Sequence, residues 1–318
     1  MPDDAPADPT PYRRQDGSNA LTRMTDTNLS ETMAEFAQRF DRSMADMLVP
    51  ADHVPDRLLQ AIEYAALAPG KRLRPFLAFQ SCEICGGEYD DVACAAVAIE
   101  CIHAFSLTHD DLPAMDDDDL RRGQPSCHKK FGEALGILAG DALAVLPFEL
   151  LATGDYPAEL SVAMVAELAE ATGWTGMIGG QAADLEGEKL PPDAELVEYI
   201  QIRKTARLIE AACRIGAIAA GAPHSTQDQL GTFGRNLGMA FQIADDLLDV
   251  TSEAAELGKT TGKDAAAGKQ TLVACIGIEE ARLAASRYGE QAAEALNAVS
   301  GDATALKALC RFVVHRTY

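Results

Sequence analysis

The sequence is poor in positive charge, in strand-like alternation and in long apolar runs, and each shortage excludes something. Only 27 lysines and arginines face 49 aspartates and glutamates across 318 residues, a formal charge of −22. So acidic a surface repels phosphate backbones, which excludes broad nucleic-acid binding and leaves phosphates to a local cation cluster or to metal. No stretch reaches the roughly 18 unbroken apolar residues of a membrane span, so none is expected. The best run, Ala134 to Leu151, is interrupted by Asp141, Pro147 and Glu149. No apolar core of the signal-peptide kind opens the chain. Sustained period-two alternation is absent, and no Ser-His-Asp or Cys-His arrangement suggests a protein nucleophile. Cys82-x-x-Cys85 has metal or redox spacing but lacks a second pair. The eight cysteines therefore read as reduced core residues of a cytoplasmic protein.

What is present is helical. Apolar residues make up 47% and charged ones 24%, as in a soluble globular protein. Residues 1–27, with prolines at 2, 6, 9 and 11, read as a disordered N-terminal leader. Beyond them Met33, Phe36, Phe40, Met44 and Met47 recur at spacings of three and four, with Asn28 or Ser30 as the expected N-cap. Gly- and Pro-rich punctuation, as at Ala68-Pro69-Gly70 and Gly221-Ala222-Pro223, divides the rest into helical segments. The expected fold class is all-α: one domain over residues 28–318, a bundle of about ten or more mostly antiparallel helices around a central catalytic cavity.

The densest chemistry lies in His109-Asp110-Asp111-Leu112-Pro113-Ala114-Met115-Asp116-Asp117-Asp118-Asp119-Leu120-Arg121-Arg122-Gly123. A charge run usually marks a solvated face. Here Ile102, Phe105, Leu107 and Leu112 put the first acids at the edge of a core, where unpaired carboxylates are costly. Gathered hard oxygen ligands point to magnesium. A second cluster, Asp245-Asp246-Leu247-Leu248-Asp249, sits in helical text. There Gln242, Asp245 and Asp249 form a polar stripe beside Leu237, Phe241, Ala244 and Leu248. Two facing acidic clusters repel unless a cation lies between them, and magnesium bridging to a diphosphate satisfies both. Cations for the phosphates stand at Lys71 and Arg74, where Gly70–Pro75 opens a helix, at Arg121 and Arg122, and at Lys204 beside Thr205. Lys259, Lys263 and Lys269 lie in a Gly-rich loop, residues 257–271.

Through these segments the chain resembles the short-chain bacterial trans-isoprenyl diphosphate synthases, the farnesyl/geranylgeranyl diphosphate synthase family. The motifs are GKRLRP at 70–75, HDDLPAMDDDDLRRG at 109–123, HKKFGE at 128–133 and AGDAL at 139–143. GGQAADLEGE at 179–188, KT at 204–205, FQIADDLLDV at 241–250, LGKTTGKD at 257–264 and GK at 268–269 complete them. Leu272-Val273 departs from the Tyr-Pro of many relatives, which is expected to reshape a helix start without abolishing activity.

The resemblance implies a prenyltransferase that joins isopentenyl diphosphate head-to-tail to dimethylallyl and geranyl diphosphates. It implies magnesium, typically three ions with manganese able to substitute, held by Asp110, Asp116, Asp245 and Asp249 with Asp111 close by. Arg121, Lys204, Thr205, Gln242, Lys259 and Lys269 are implied around the allylic diphosphate, and Lys71, Arg74, His103 and Arg122 around isopentenyl diphosphate. His109 and His128 match motif positions without a defined chemical role. A homodimer is implied too. A class-I terpene cyclase shares the acidic motifs but needs no second diphosphate pocket, which favours condensation. An acidic or calcium-binding surface is the non-enzymatic reading, against which neither cluster shows an EF-hand pattern. Ser106 and Phe105, four and five residues before Asp110, lie one turn down the helix and form the expected floor for a growing tail. An aromatic there, with two extra residues inside the motif, goes in the resembled family with farnesyl diphosphate as main product; a geranylgeranyl or geranyl diphosphate synthase is the alternative.

Overall fold

The structure, a computed structural model, describes residues 26–50, 53–256 and 271–315. Lys259, Lys263, Lys269 and nearly all of the expected leader lie outside the described residues. The first half of the chain contains α1 (Asp26–Met47), α2 (Asp56–Ala66), α3 (Leu73–Ile84), α4 (Tyr89–Asp110), α5 (Cys127–Phe131) and α6 (Glu133–Thr153). Then come α7 (Ala158–Thr172), α8 (Met177–Gly187), α9 (Ala194–Gln201), α10 (Arg207–Ala219) and α11 (His224–Glu256). After the undescribed stretch follow α12 (Leu272–Ile276), α13 (Ile278–Ala295) and α14 (Thr304–His315). Helix α1 begins at Asp26, so Asn28 and Ser30 lie within it and neither is its N-cap. A first turn is the part of a helix that spacing fixes least.

Helix α4 is apolar on every side and becomes the central strut, packed by α3, α6 and α10. A reciprocal capping box starts it: the Glu88 amide donates to Asp91 Oδ2 at 2.7 Å while the Glu88 side chain accepts from the Asp91 amide. Helix α10 sits between α3 and α11, and α11 carries α13 along its outer face. Two large buried clusters result, one around Ile99, Leu143 and Met164, the other around Phe76, Phe233 and Leu309. The acids at the end of α4 and along α11 thereby stand on rigid elements.

Two features depart from expectation. Leu120–Arg121 and Gln124–Pro125 pair antiparallel around Arg122 and Gly123, whose φ values are 52° and 78°. Positive φ at both central positions is the signature of a type I′ hairpin, and strands of two residues are too short to show alternation. In addition, α4 and α6 are each long and apolar enough to cross a membrane by length and composition. Scattered acids, rather than a lack of apolar residues, had broken the run in α6. The apolar window of α4 is 72% buried inside the fold and serves as core; that of α6 is 33% buried. Leu138 (50% exposed) and Val145 (66%) of α6, with Val162 (67%) of the adjoining α7, leave an apolar face uncovered.

Candidate active site

Helix α4 stops at Asp110, three residues before Pro113 forbids its continuation. The chain then doubles back: the Asp116 amide donates to the Asp110 carbonyl at 2.9 Å, and the Asp117 amide to that of Leu112 at 3.1 Å. Residues 111–115 thus form a closed loop that returns Asp116 to the foot of Asp110. Asp111 is buried and turns aside to accept from Arg121, through Nε at 2.8 Å and through Nη2. Arg121 also reaches Asp118 at 3.3 Å. Burial pushes the Asp111 carboxyl up, and Arg121 opposes that.

In α11, Asp245 is half-buried and Asp249 exposed, while Asp246 turns into the protein. Asp246 accepts from Gln201 Nε2 at 2.8 Å, from Gln242 Nε2 at 2.9 Å and from the Leu272 amide. Burial still pushes its carboxyl up to about 6. Gln242 Oε1 in turn accepts from Thr205 Oγ1 at 2.9 Å. Lys204 and Thr205 lie in a π-turn, Ile202–Ala206, between α9 and α10. Such a bulge inserts a residue and re-aims the neighbouring side chains. Gly180 of α8 packs against it so closely that a Cβ there would stand 2.5 Å from the Lys204 amide nitrogen. Lys204 Nζ meets Asp184 Oδ2 at 2.6 Å. Thr271 caps α12 by accepting from the Ala274 amide at 3.1 Å, so Leu272-Val273 enters a well-formed helix and packs with Ile243 and Leu247.

Two cavities meet between these elements. The larger, about 790 Å³, takes Lys71, Arg74, His103 and Arg122 together with Gln242 and Asp245. The smaller, about 390 Å³, runs past Asp110 and Lys204 to Phe105, Ser106, Met177 and Leu185. Arg74, His103, Leu107 and Thr205 line both. Arg72 is spent on structure, buried against Asp41 and Glu100 at 2.7 Å each. Arg74 Nε is buried without a partner, and burial lowers its guanidinium pKa. His103 is held well below its ordinary value by burial first and then by Arg74, Arg122, Arg72 and Arg121, so it is neutral at pH 7. Crowded cations and an orphaned buried donor make the larger cavity a receptor for an anion.

Among the sequence-derived residues, Lys71, Arg74, His103 and Arg122 share one cavity, and Asp110, Lys204 and Thr205 share the other with Phe105 and Ser106. No individual role was read from the sequence for Asp184, Gln201 or Asp246. Asp246 was visible in its motif, but its inward turn depends on Gln201 across a helix junction.

The profile of the polyprenyl synthetase family matches residues 55–309. The chain belongs to the polyprenyl synthetase family. It is 44% identical over 286 residues to the farnesyl diphosphate synthase of Escherichia coli (strain K12), covering 87% of this chain and 95% of that one. It is also 44% identical over 269 residues to geranylgeranyl pyrophosphate synthase 11, chloroplastic, of Arabidopsis thaliana, covering 82% and 75%. A crystal structure of an FPP/GFPP synthase from Zymomonas mobilis superposes with a TM-score of 0.79 at 37% identity, covering 91% of this chain and 99% of that one. The protein is accordingly a prenyltransferase of isoprenoid biosynthesis with the all-α fold of these enzymes. Equal identity to synthases of different product length leaves that length to the site itself.

Proposed function

We propose that the protein condenses isopentenyl diphosphate with dimethylallyl and then geranyl diphosphate, yielding farnesyl diphosphate. The observation that carries this reading is the junction of an anion-receiving cavity with an apolar shaft at His103 and Thr205. Isopentenyl diphosphate occupies the cavity of Lys71, Arg74, His103 and Arg122. The allylic tail occupies the shaft, its diphosphate at the mouth near Lys204 and Arg121; Lys259 and Lys269, outside the described residues, are the further cations expected for it. The carboxylates of Asp110, Asp116, Asp245 and Asp249 suit magnesium, a hard cation that takes few protein ligands and shares its shell with phosphate. Among the described residues no three acid, histidine or cysteine side chains are grouped to hold a metal ion by themselves. Magnesium, when bound, stabilises negative charge on the departing diphosphate. Lys204 and Arg121 add fixed positive charge there, and the shaft excludes water from the allylic cation. Thr205, held by Gln242, fixes the ester oxygen at the mouth.

Phe105 lies at the foot of the shaft, and a rigid ring there stops the tail at C15. The eight unbridged thiols accord with a reducing cytoplasm, and burial pushes that of Cys82 up to about 12, away from reactivity. The uncovered face of α6 and α7 accords with a homodimer. Incubation with geranyl diphosphate alone separates condensation from cyclisation. No hydrocarbon is expected until isopentenyl diphosphate is added, when C15 diphosphate appears; a cyclic hydrocarbon from geranyl diphosphate alone would refute the reading.

A further inference from the structure

A second ring stands beside Phe105 in the shaft. His109, one turn above Phe105 on α4, packs edge-on against it with centroids 5.0 Å apart and planes at 76°. Both side chains line the shaft. The imidazole is pinned from the far side by α6: Nε2 lies 3.1 Å from the Ile137 carbonyl and 3.8 Å from Asp141 Oδ1. It fits there because position 140 has no side chain. A Cβ on Gly140 would overlap the ring at Nε2 and Cδ2. Gly140 stands inside α6, where glycine costs about 1 kcal/mol relative to alanine, so a packing reason is required, and the imidazole supplies it.

We propose that His109 and Gly140 set product length together with Phe105: the imidazole, seated in the notch left by Gly140, braces the Phe105 ring from one turn above it on α4. The inference rests on the reading of Phe105 as the floor, and it assigns His109 a specificity role rather than a chemical one. A braced edge-on aromatic pair resists the rotation by which a lone ring yields to a growing tail. The geometry gives the two positions opposite signs. Removing the imidazole lets Phe105 swing and deepens the shaft. Adding a methyl at 140 drives the imidazole off α6 into the shaft and makes it shallower.

The test is the ratio of C10, C15 and C20 products from dimethylallyl and isopentenyl diphosphates, a readout independent of overall rate. His109→Ala should raise the C20 to C15 ratio about tenfold, the effect of about 1.4 kcal/mol. Gly140→Ala should shift product towards C10. In the double variant His109→Ala/Gly140→Ala the methyl meets no ring, so the spectrum should follow His109→Ala and not the sum of the two singles. An unchanged spectrum in both single variants, while Phe105→Ala lengthens the product, would overturn the brace and leave the floor intact. An unchanged spectrum in Phe105→Ala would remove the floor. If His109→Ala still lengthened the product in that case, the imidazole itself would be the stop and its specificity role would stand.

Discussion

Arg72 and Glu100 meet at 2.7 Å with both side chains almost wholly withdrawn from solvent, directly beneath the anion-receiving cavity. The pair joins the start of α3 to the middle of α4, and Asp41 of α1 completes it. Removing one partner of a buried pair leaves the other uncompensated, which typically costs about 3–5 kcal/mol. Arg72→Leu is expected to lose stability on that scale in denaturant unfolding. Arg72→Leu/Glu100→Leu should recover part of the loss; equal stability of wild type and single variant would deny the pair its structural role.

The acids at the two ends of the site are expected to behave differently from that brace. Asp110→Ala and Asp245→Ala should each lower kcat about 10²–10³-fold, the scale of losing one preplaced electrostatic contact, with Tm essentially unchanged. Steady-state kinetics beside thermal melts check this. Turnover surviving in both variants would end the catalytic assignment.

Lys71 is exposed and lines the larger cavity but not the shaft. Lys71→Ala is expected to raise KM for isopentenyl diphosphate about 10- to 100-fold, as for one lost charged contact, while KM for geranyl diphosphate stays within about twofold. A rise for the allylic substrate alone would exchange the two pockets.

Burial and four neighbouring guanidinium groups hold His103 well below its ordinary pKa. Below about pH 6.5 the unfolded chain therefore binds a proton that the folded protein refuses. By linkage, stability of the ligand-free protein is complete above that pH and falls as pH drops, by at most about 1.4 kcal/mol per unit for this one group. His103→Gln should flatten the fall between pH 6.5 and 5.5 in urea titrations. A slope unaffected by the substitution would place the titrating group elsewhere.

The helical class was legible because periodicity acts over whole helices, and the two acidic motifs because their acids stand close in sequence. Other details depended on contacts that spacing does not encode. Asp111 was visible as an acid, but only the fold shows it turned to Arg121 across the hairpin. The type I′ turn itself hides in strands of two residues. Lys204 and Thr205 were legible as a pair, whereas the π-turn that presents them answers to Gly180 on another helix. Gly140 was visible only within the AGDAL motif, and its fit to the His109 ring depends on a contact between α4 and α6. The exposed face of α6 read as ordinary apolar text, since composition does not say which side of a helix is covered.

The most direct measurement is chromatographic analysis of the products formed from dimethylallyl and isopentenyl diphosphates with magnesium. C15 diphosphate is expected as the main product, with C10 as a transient and release of one inorganic diphosphate for each bond formed. A product that runs predominantly to C20 would contradict the Phe105 floor, and the absence of any condensation would contradict the two-cavity account as a whole.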